Sequence, residues 1–508
     1  MNASNSIKIT RNTVFLYIRM LISMVVSLYT SRVVLQTLGV VDFGIYGVVG
    51  SVVSFFSFIT ASMSGATSRF LTIEIGRNDK ERLSLVFNMS FYQYCFFALF
   101  LFFVIEAVGI WVVNSMLNIP TERMSAANWT FQLSVMAMLV LIIQIPYRAM
   151  IIAHEDIGAY SILEIINVFL KLIIVYLLVM GDVDKLVLYS FLMLMVSVLI
   201  TVLYAFFSHN EYKACNFKRV WDKPLFRQMA VFSAWDLYGN MSNMARTQGV
   251  AVLLNIFFGP IMNAASTVAT QAGAAVMNFA SNVTTAVKPQ IIKYYAQSNY
   301  PAMSELMHFS VKINFLILFL FSVPLLFEME YVMGLWLSVI PAYAVAFCSL
   351  ILIFNFFANA SNIIVTGVHA TGNIKRMSII NGSLYLSVIP LSYIGFKCGF
   401  PAWMPFLVNI LAVIAGMSSN AYIVSRRIPD FSILEFIVYD VGKCILVFIF
   451  TCLAVYAISV WVGQGIIRLL LVTIVSSIIL ATVGMWYLLS KNEFILIKKS
   501  IKVIWRKL

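Results

Sequence analysis

Apolar runs of about 20 residues recur from one end of this chain to the other, with only short polar joints between them. That recurrence constrains the fold more than any other feature. A helix of such length spans the roughly 30 Å hydrocarbon core of a bilayer, and lipid tolerates a backbone only where its polar groups are satisfied internally. A water-soluble fold has no interior large enough to hide these runs. Hydrophobic residues make up 61% of the 508, and charged residues 11%, against roughly 25% in a soluble domain. Mean hydropathy is +0.93. The first run, from Val14, is too long for a signal-peptide core and lacks a small-residue cleavage site, so it reads as a permanent span.

Hydropathy places helices near 12–36, 43–66, 84–113, 126–150, 158–180, 185–207, 229–256, 261–286, 308–329, 342–366, 377–397, 402–424, 437–460 and 466–490. The expected class is therefore an all-α integral membrane protein of about 14 transmembrane helices with no soluble domain of any size. An even number of spans puts both termini on one side. Of 34 Lys and Arg, 24 fall on the side of the termini, including Arg69, Arg77, Lys80, Arg82, Lys213, Lys218, Lys223, Arg227 and the tail Lys498–Lys507. Only Arg123, Lys185, Lys397 and Arg468 fall opposite. The positive-inside rule then expects both termini in the cytoplasm. The net charge of +13 is accounted for by topology and attraction to anionic lipid heads, not by nucleic acid.

An internal repeat emerges when Gly39 is laid on Gly259. Helix 1, its short turn and the Ser/Thr-rich helix 2 then fall on helix 7, its turn and the Ser/Thr/Asn-rich helix 8. Farther on, Ala153–Tyr160 falls near Ala370–Met377. The repeat divides the chain into an N-terminal six-helix lobe (1–210), a second six-helix lobe (211–430), and helices 13 and 14 with a basic tail (431–508). Six spans per copy makes the two bundles parallel, a design used by transporters with a midplane cavity. The six cysteines (Cys95, Cys215, Cys348, Cys398, Cys444, Cys452) form no CxxC pair, and the four histidines are dispersed. No metal site, disulfide or cofactor is expected.

The run Asn12-Thr13, then Ser31-Arg32-Val33-Val34-Leu35-Gln36-Thr37-Leu38-Gly39-Val40-Val41-Asp42-Phe43-Gly44-Ile45-Tyr46, resembles the opening of bacterial polysaccharide transporters. These are the Wzx-type flippases of O-antigen and capsule repeat units, in the superfamily that also holds multidrug exporters and lipid II flippases. The segment from Pro146-Tyr147-Arg148-Ala149 to Ala153-His154-Glu155 is similar to a recurring feature there. Helices 13 and 14 depart from the twelve-helix layout and look like the fourteen-helix members. The resemblance implies a MATE-like fold in the bacterial inner membrane. It also implies a flippase, not an enzyme, that moves an undecaprenyl-pyrophosphate-linked oligosaccharide from the cytoplasmic to the periplasmic leaflet. Alternating access, driven by an H+ or Na+ gradient, would power it.

Such cargo needs cations for the diphosphate and hydroxyls or amides for the sugars. Arg19, Lys171, Arg246 and Arg32 lie within helices and are the candidate diphosphate ligands, Arg32 being placed equally well to snorkel to the outer surface. An arginine fork suits diphosphate oxygens, and a lysine acts as a point charge. The competing reading is an ion pair with Asp236, Glu164 or Glu106. Arg19 and Arg246 belong to opposite halves, so a bound diphosphate would bridge them. Asn240, Asn243, Gln248, Thr270, Gln271 and Asn278 are the candidate polar wall, set against close packing through small and hydroxyl side chains. Asp236 and Glu164 are the candidates for ion coupling. Lys312 and Lys443 read as interfacial, Lys443 within reach of Asp440 at i,i+3. Pro324 and Pro390 fall inside apolar spans, where each is expected to bend its helix.

Three other functions compete, the first a lipid II flippase, with the same charge logic and a different sugar. A multidrug or small-solute exporter of the same fold would favour an acidic cavity for cationic cargo. A membrane polymerase, ligase or glycosyltransferase would need a sizeable aqueous loop carrying catalytic groups, and the longest outward loop, near 114–125, is short.

Overall fold

The computed structural model describes residues 3–54, 57–116, 119–178, 184–218, 220–336, 340–490 and 493. Among them the chain is almost entirely helical and contains no strand. The helices are α1 (Ala3–Ser54), α2 (Ser57–Arg77), α3 (Lys80–Trp111), α4 (Met124–Ala153), α5 (Ile157–Leu177), α6 (Lys185–Glu211) and α7 (Lys223–Phe258), then α8 (Pro260–Ala296), α9 (Tyr300–Trp336), α10 (Ala344–Thr371), α11 (Lys375–Lys397), α12 (Met404–Ser425), α13 (Lys443–Trp461) and α14 (Ile466–Ile479). Ten helical segments among the described residues are long and apolar enough to cross a membrane. The expected spans that fall on α1, α2, α7 and α8 are helical in the structure but are not among those ten. The architecture is an all-α membrane fold.

Local chemistry explains where these helices start. Asp79 accepts a hydrogen bond from the Arg82 amide at 2.9 Å, and Asp156 one from the Ala159 amide at 3.2 Å. Asp184 accepts from Leu186 and Val187. Each caps amides that the first turn of α3, α5 or α6 leaves unpaired. Two glycines make the sharpest corners. Gly39 turns α1 at φ 77, ψ 168, and Gly259 separates α7 from α8 at φ 80, ψ −176. That region is open essentially to glycine alone.

Those two positions are 220 residues apart, the spacing of the sequence repeat, and the same spacing recurs elsewhere. Asn78 (φ 59) follows the end of α2 as Ser298 (φ 57) follows the end of α8. Starts of α3 and α9, at Lys80 and Tyr300, and of α4 and α10, at Met124 and Ala344, keep it too.

The chain forms two compact units, Val14–Leu237 and Met1–Thr13 with Tyr238–Leu508. In the first, α4 packs on α6, α2 and α3 around Val49, Tyr94, Phe131 and Ile142. Its loops are fastened by Arg123, whose Nε and Nη2 donate to Asp42 at 2.8 and 2.6 Å while Nη1 donates to Asp184 at 2.5 Å. In the second unit, α10 is central and packs on α8, α9 and α12, and α13 and α14 lie on α9. Gly273 lets α8 approach α10: a Cβ there would stand 2.3 Å from Ile351. α9 departs from helical geometry at Glu328, one turn beyond Pro324.

Two placements differ from expectation. Asp440 does not pair with Lys443. It lies in a stretch of wider π turns, Glu435–Gly442, and meets His308 and, at 3.7 Å, Lys312, which also reaches Glu493 at 3.1 Å. Lys443 instead sits over the rings of Tyr439 and Tyr487. Arg468, counted among outward loop cations, is the third residue of α14 and is buried. Its Nε is 2.6 Å from Glu328 Oε1, and Glu328 is 1% exposed.

Candidate functional site

In the second unit a cavity of about 560 Å³ opens between α7, α8, α10 and α12. Arg246 of α7 stands in its wall and is only 8% exposed. Its Nη2 donates to Asn243 Oδ1 at 2.7 Å, one turn back on the same helix, and its Nη1 donates to Asn409 Oδ1 of α12, also at 2.7 Å. The guanidinium lies 5.1 Å from the ring centre of Phe354 (α10) and 4.9 Å from that of Tyr385 (α11). Its Nε is buried with no partner among the described residues. Every contact of this cation is therefore a neutral amide or a π face. No carboxylate among the described residues lines the cavity.

The remaining wall is hydroxyl and amide on one side and apolar on the other. Gln248, Ser266, Thr267, Thr270 and Gln271 line it from α7 and α8, with Ile351, Phe354 and Phe406 opposite. Of the expected polar wall, Gln248, Thr270 and Gln271 lie here, and Asn243 holds the arginine. Asn240 and Asn278 are not among the lining residues.

The first unit holds a second polar cluster. Arg19 Nη1 and Arg148 Nη2 each donate to the Tyr160 hydroxyl at 2.8 Å, and both guanidiniums lie over its ring at 5.1 and 5.2 Å. One turn on from Tyr160, Glu164 accepts from the Tyr204 hydroxyl at 2.8 Å. Four helices, α1, α4, α5 and α6, thus meet in a group with two cations and one carboxylate. Arg19 pairs with neither Asp236 nor Glu106, and Glu106 accepts instead from Gln132 at 2.8 Å. Asp236 Oδ2, on α7, is 3.8 Å from where a Cβ on Gly65 of α2 would stand. Lys171 is half-buried on α5 and makes no hydrogen bond or ion pair among the described residues. The Arg32 side chain lies outside the described residues, as do those of Ser51, Ser54, Ser57 and Thr60.

Several members of these groups escape sequence reading. Arg148 lies near the end of the expected helix 126–150 and is not among the candidate cations there; α4 runs on past it to Ala153. Asn409 is one of two amides in the largely apolar α12, and its spacing carries no signal. Tyr160, Tyr204 and Tyr385 are three of 23 tyrosines.

No protein-family model and no curated protein matches this sequence. Solved structures do match its fold. A multidrug resistance MATE family transporter of the MOP superfamily, in an outward-facing conformation, superposes with a TM-score of 0.71 at 14% identity, over 84% of this chain and 98% of that one. A MATE protein in the straight conformation gives 0.72 at 14%, over 83% and 96%. A MOP superfamily transporter from Pyrococcus furiosus, described as having a binding pocket of reverse polarity that suggests a different function, gives 0.71 at 14%, over 83% and 96%. The fold is therefore of the MATE type.

Proposed function

We propose that this chain is a flippase for a lipid-linked oligosaccharide carrying a diphosphate, of the undecaprenyl-pyrophosphate kind, working by alternating access. In this reading it sits in the bacterial inner membrane with both termini cytoplasmic. Residues 1–210 and 211–430 are its two lobes, with 431–508 appended. The observation that carries the reading is Arg246, a buried cation in a cavity wall with no carboxylate among the described residues.

Holding a charge out of water costs several kcal/mol unless something repays it. Arginines that serve structure are repaid by a fixed acid, as Arg468 is by Glu328. Arg246 has only amides and rings, so its charge remains available to an anion that comes and goes. Asn243 and Asn409 aim its fork, and a planar fork suits two diphosphate oxygens. The hydroxyls and amides of α7 and α8 offer partners to sugar. The Pyrococcus furiosus protein, described through the reversed polarity of its pocket, supports reading cargo class from the sign of the cavity. Arg19, Lys171 and Arg32 are the further candidates for the diphosphate, and Glu164 or Asp236 for coupling to H+ or Na+.

The test is surface polysaccharide in cells that depend on this chain. Arg246→Gln should abolish it at normal protein abundance, and Arg246→Lys should restore part, since a point charge replaces the fork. Full polysaccharide with well-expressed Arg246→Gln, joined to lost resistance toward cationic drugs, would move the reading to a multidrug exporter.

A further inference from the structure

We propose that the start of α3 and the loop joining α6 to α7 form a phosphate-recognising site that holds the headgroup of an anionic phospholipid. A cavity of about 370 Å³ opens there, lined by Glu81, Arg82, Ser84, Asn88 and Lys218. Arg82 and Lys218 are exposed, and neither side chain makes an ion pair or hydrogen bond among the described residues. Two free cations thus face one carboxylate.

The loop is not a loosely solvated one. Asn88 reads its backbone twice, donating to the Asn216 carbonyl at 3.3 Å and accepting from the Lys218 amide at 2.9 Å. Tyr92 donates to the Lys218 carbonyl at 3.3 Å. Three contacts from α3 therefore fix where Lys218 starts. Ser84 is 5% exposed, lines the cavity, and its hydroxyl has no partner among the described residues.

What selects a lipid over a free ion is the rim. Phe217 and Trp221 flank Lys218 on the same loop and are 55% and 61% exposed. Phe217 packs edge-on against Tyr92 at 5.7 Å, and Trp221 lies 5.0 Å from Phe226. A free phosphate needs the cations and gains nothing from exposed aromatic rings. A phospholipid uses both, its phosphate against the cations and its glycerol and upper chains against rings that favour the membrane interface.

Native mass spectrometry of the full chain in detergent tests this, with phosphatidylglycerol and phosphatidylcholine as probes. One phosphatidylglycerol should be retained in preference to phosphatidylcholine. Arg82→Gln and Lys218→Gln should each weaken retention about five-fold, the effect of one basic side chain at an anionic membrane surface. Lys218→Arg should keep it, and so should Lys213→Gln, which changes the same loop outside the cavity. Equal loss with Lys213→Gln would mean diffuse attraction and overturn the site, as would equal retention of the two lipids. Protection of Lys218 from acetylation by millimolar inorganic phosphate, with none from phosphatidylglycerol, would overturn the lipid assignment.

Discussion

Arg246 and Arg468 are both buried arginines of the second unit, and their loss should have opposite consequences. Arg468 lies 2.6 Å from Glu328, so Arg468→Met strands a carboxylate that is 1% exposed. Breaking a buried pair from one side costs about 3–5 kcal/mol. Arg246→Met strands no charge. It removes two charge-assisted hydrogen bonds, at about 1.5–3 kcal/mol each, and two ring contacts at about 0.5–2 kcal/mol each. Against these it also removes a desolvation penalty of several kcal/mol. Gains and losses oppose each other, so Arg246→Met should cost less than the about 3–5 kcal/mol of Arg468→Met. Unfolding of purified protein in detergent, followed by heat or denaturant, measures both variants. The double variant Arg468→Met with Glu328→Leu should recover most of what Arg468→Met loses, because it leaves no orphan acid. A calorimetric binding assay with a soluble lipid-diphosphate analogue completes the contrast: Arg246→Met should lose binding and Glu328→Leu with Arg468→Met should keep it. Loss of 3 kcal/mol or more in Arg246→Met would refute the argument that its charge is unpaired, and undiminished binding would refute its role.

The other outcomes follow from single features. Gly259→Ala, and separately Gly39→Ala, should cost about 1–3 kcal/mol, because no atom stands within 4 Å of either new Cβ and the whole penalty comes from the backbone; unchanged melting temperatures would contradict it. The Arg123 guanidinium holds the Asp184 carboxyl below the usual carboxylate range, so the pair's stabilisation is present above about pH 4 and fades as pH falls through the depressed value. Between pH 6 and 3, melting temperature should therefore fall more steeply in the wild type than in Asp184→Asn, and parallel curves would count against it. Glu164→Gln keeps an acceptor for Tyr204 and removes the charge, so transport in vesicles should lose its response to a proton or sodium gradient while cargo binding persists; an unaltered response moves coupling to Asp236.

The spans were legible because lipid imposes a demand that each run must meet alone, residue by residue. Gly39 and Gly259 were legible as a repeat for a related reason: a left-handed corner admits glycine at almost no cost and little else, so backbone geometry leaves a mark in the sequence itself. Side-chain partners leave no such mark. The i,i+3 spacing of Asp440 and Lys443 promises a pair only on a regular α-helix, and the π turns of Glu435–Gly442 rotate Asp440 toward His308 and Lys312 on α9 instead. Arg148 falls near the end of the expected helix 126–150, and nothing in its spacing shows that α4 carries it to the Tyr160 hydroxyl. For Arg246 the depth in the span was readable, and the choice between ion pair and open cation was not. That choice depends on what α10, α11 and α12 bring up to it across more than a hundred residues of chain, and what they bring is Phe354, Tyr385 and Asn409. A cation can be read from sequence; what surrounds it is a property of packing, and among the described residues Arg246 is met by amides and rings.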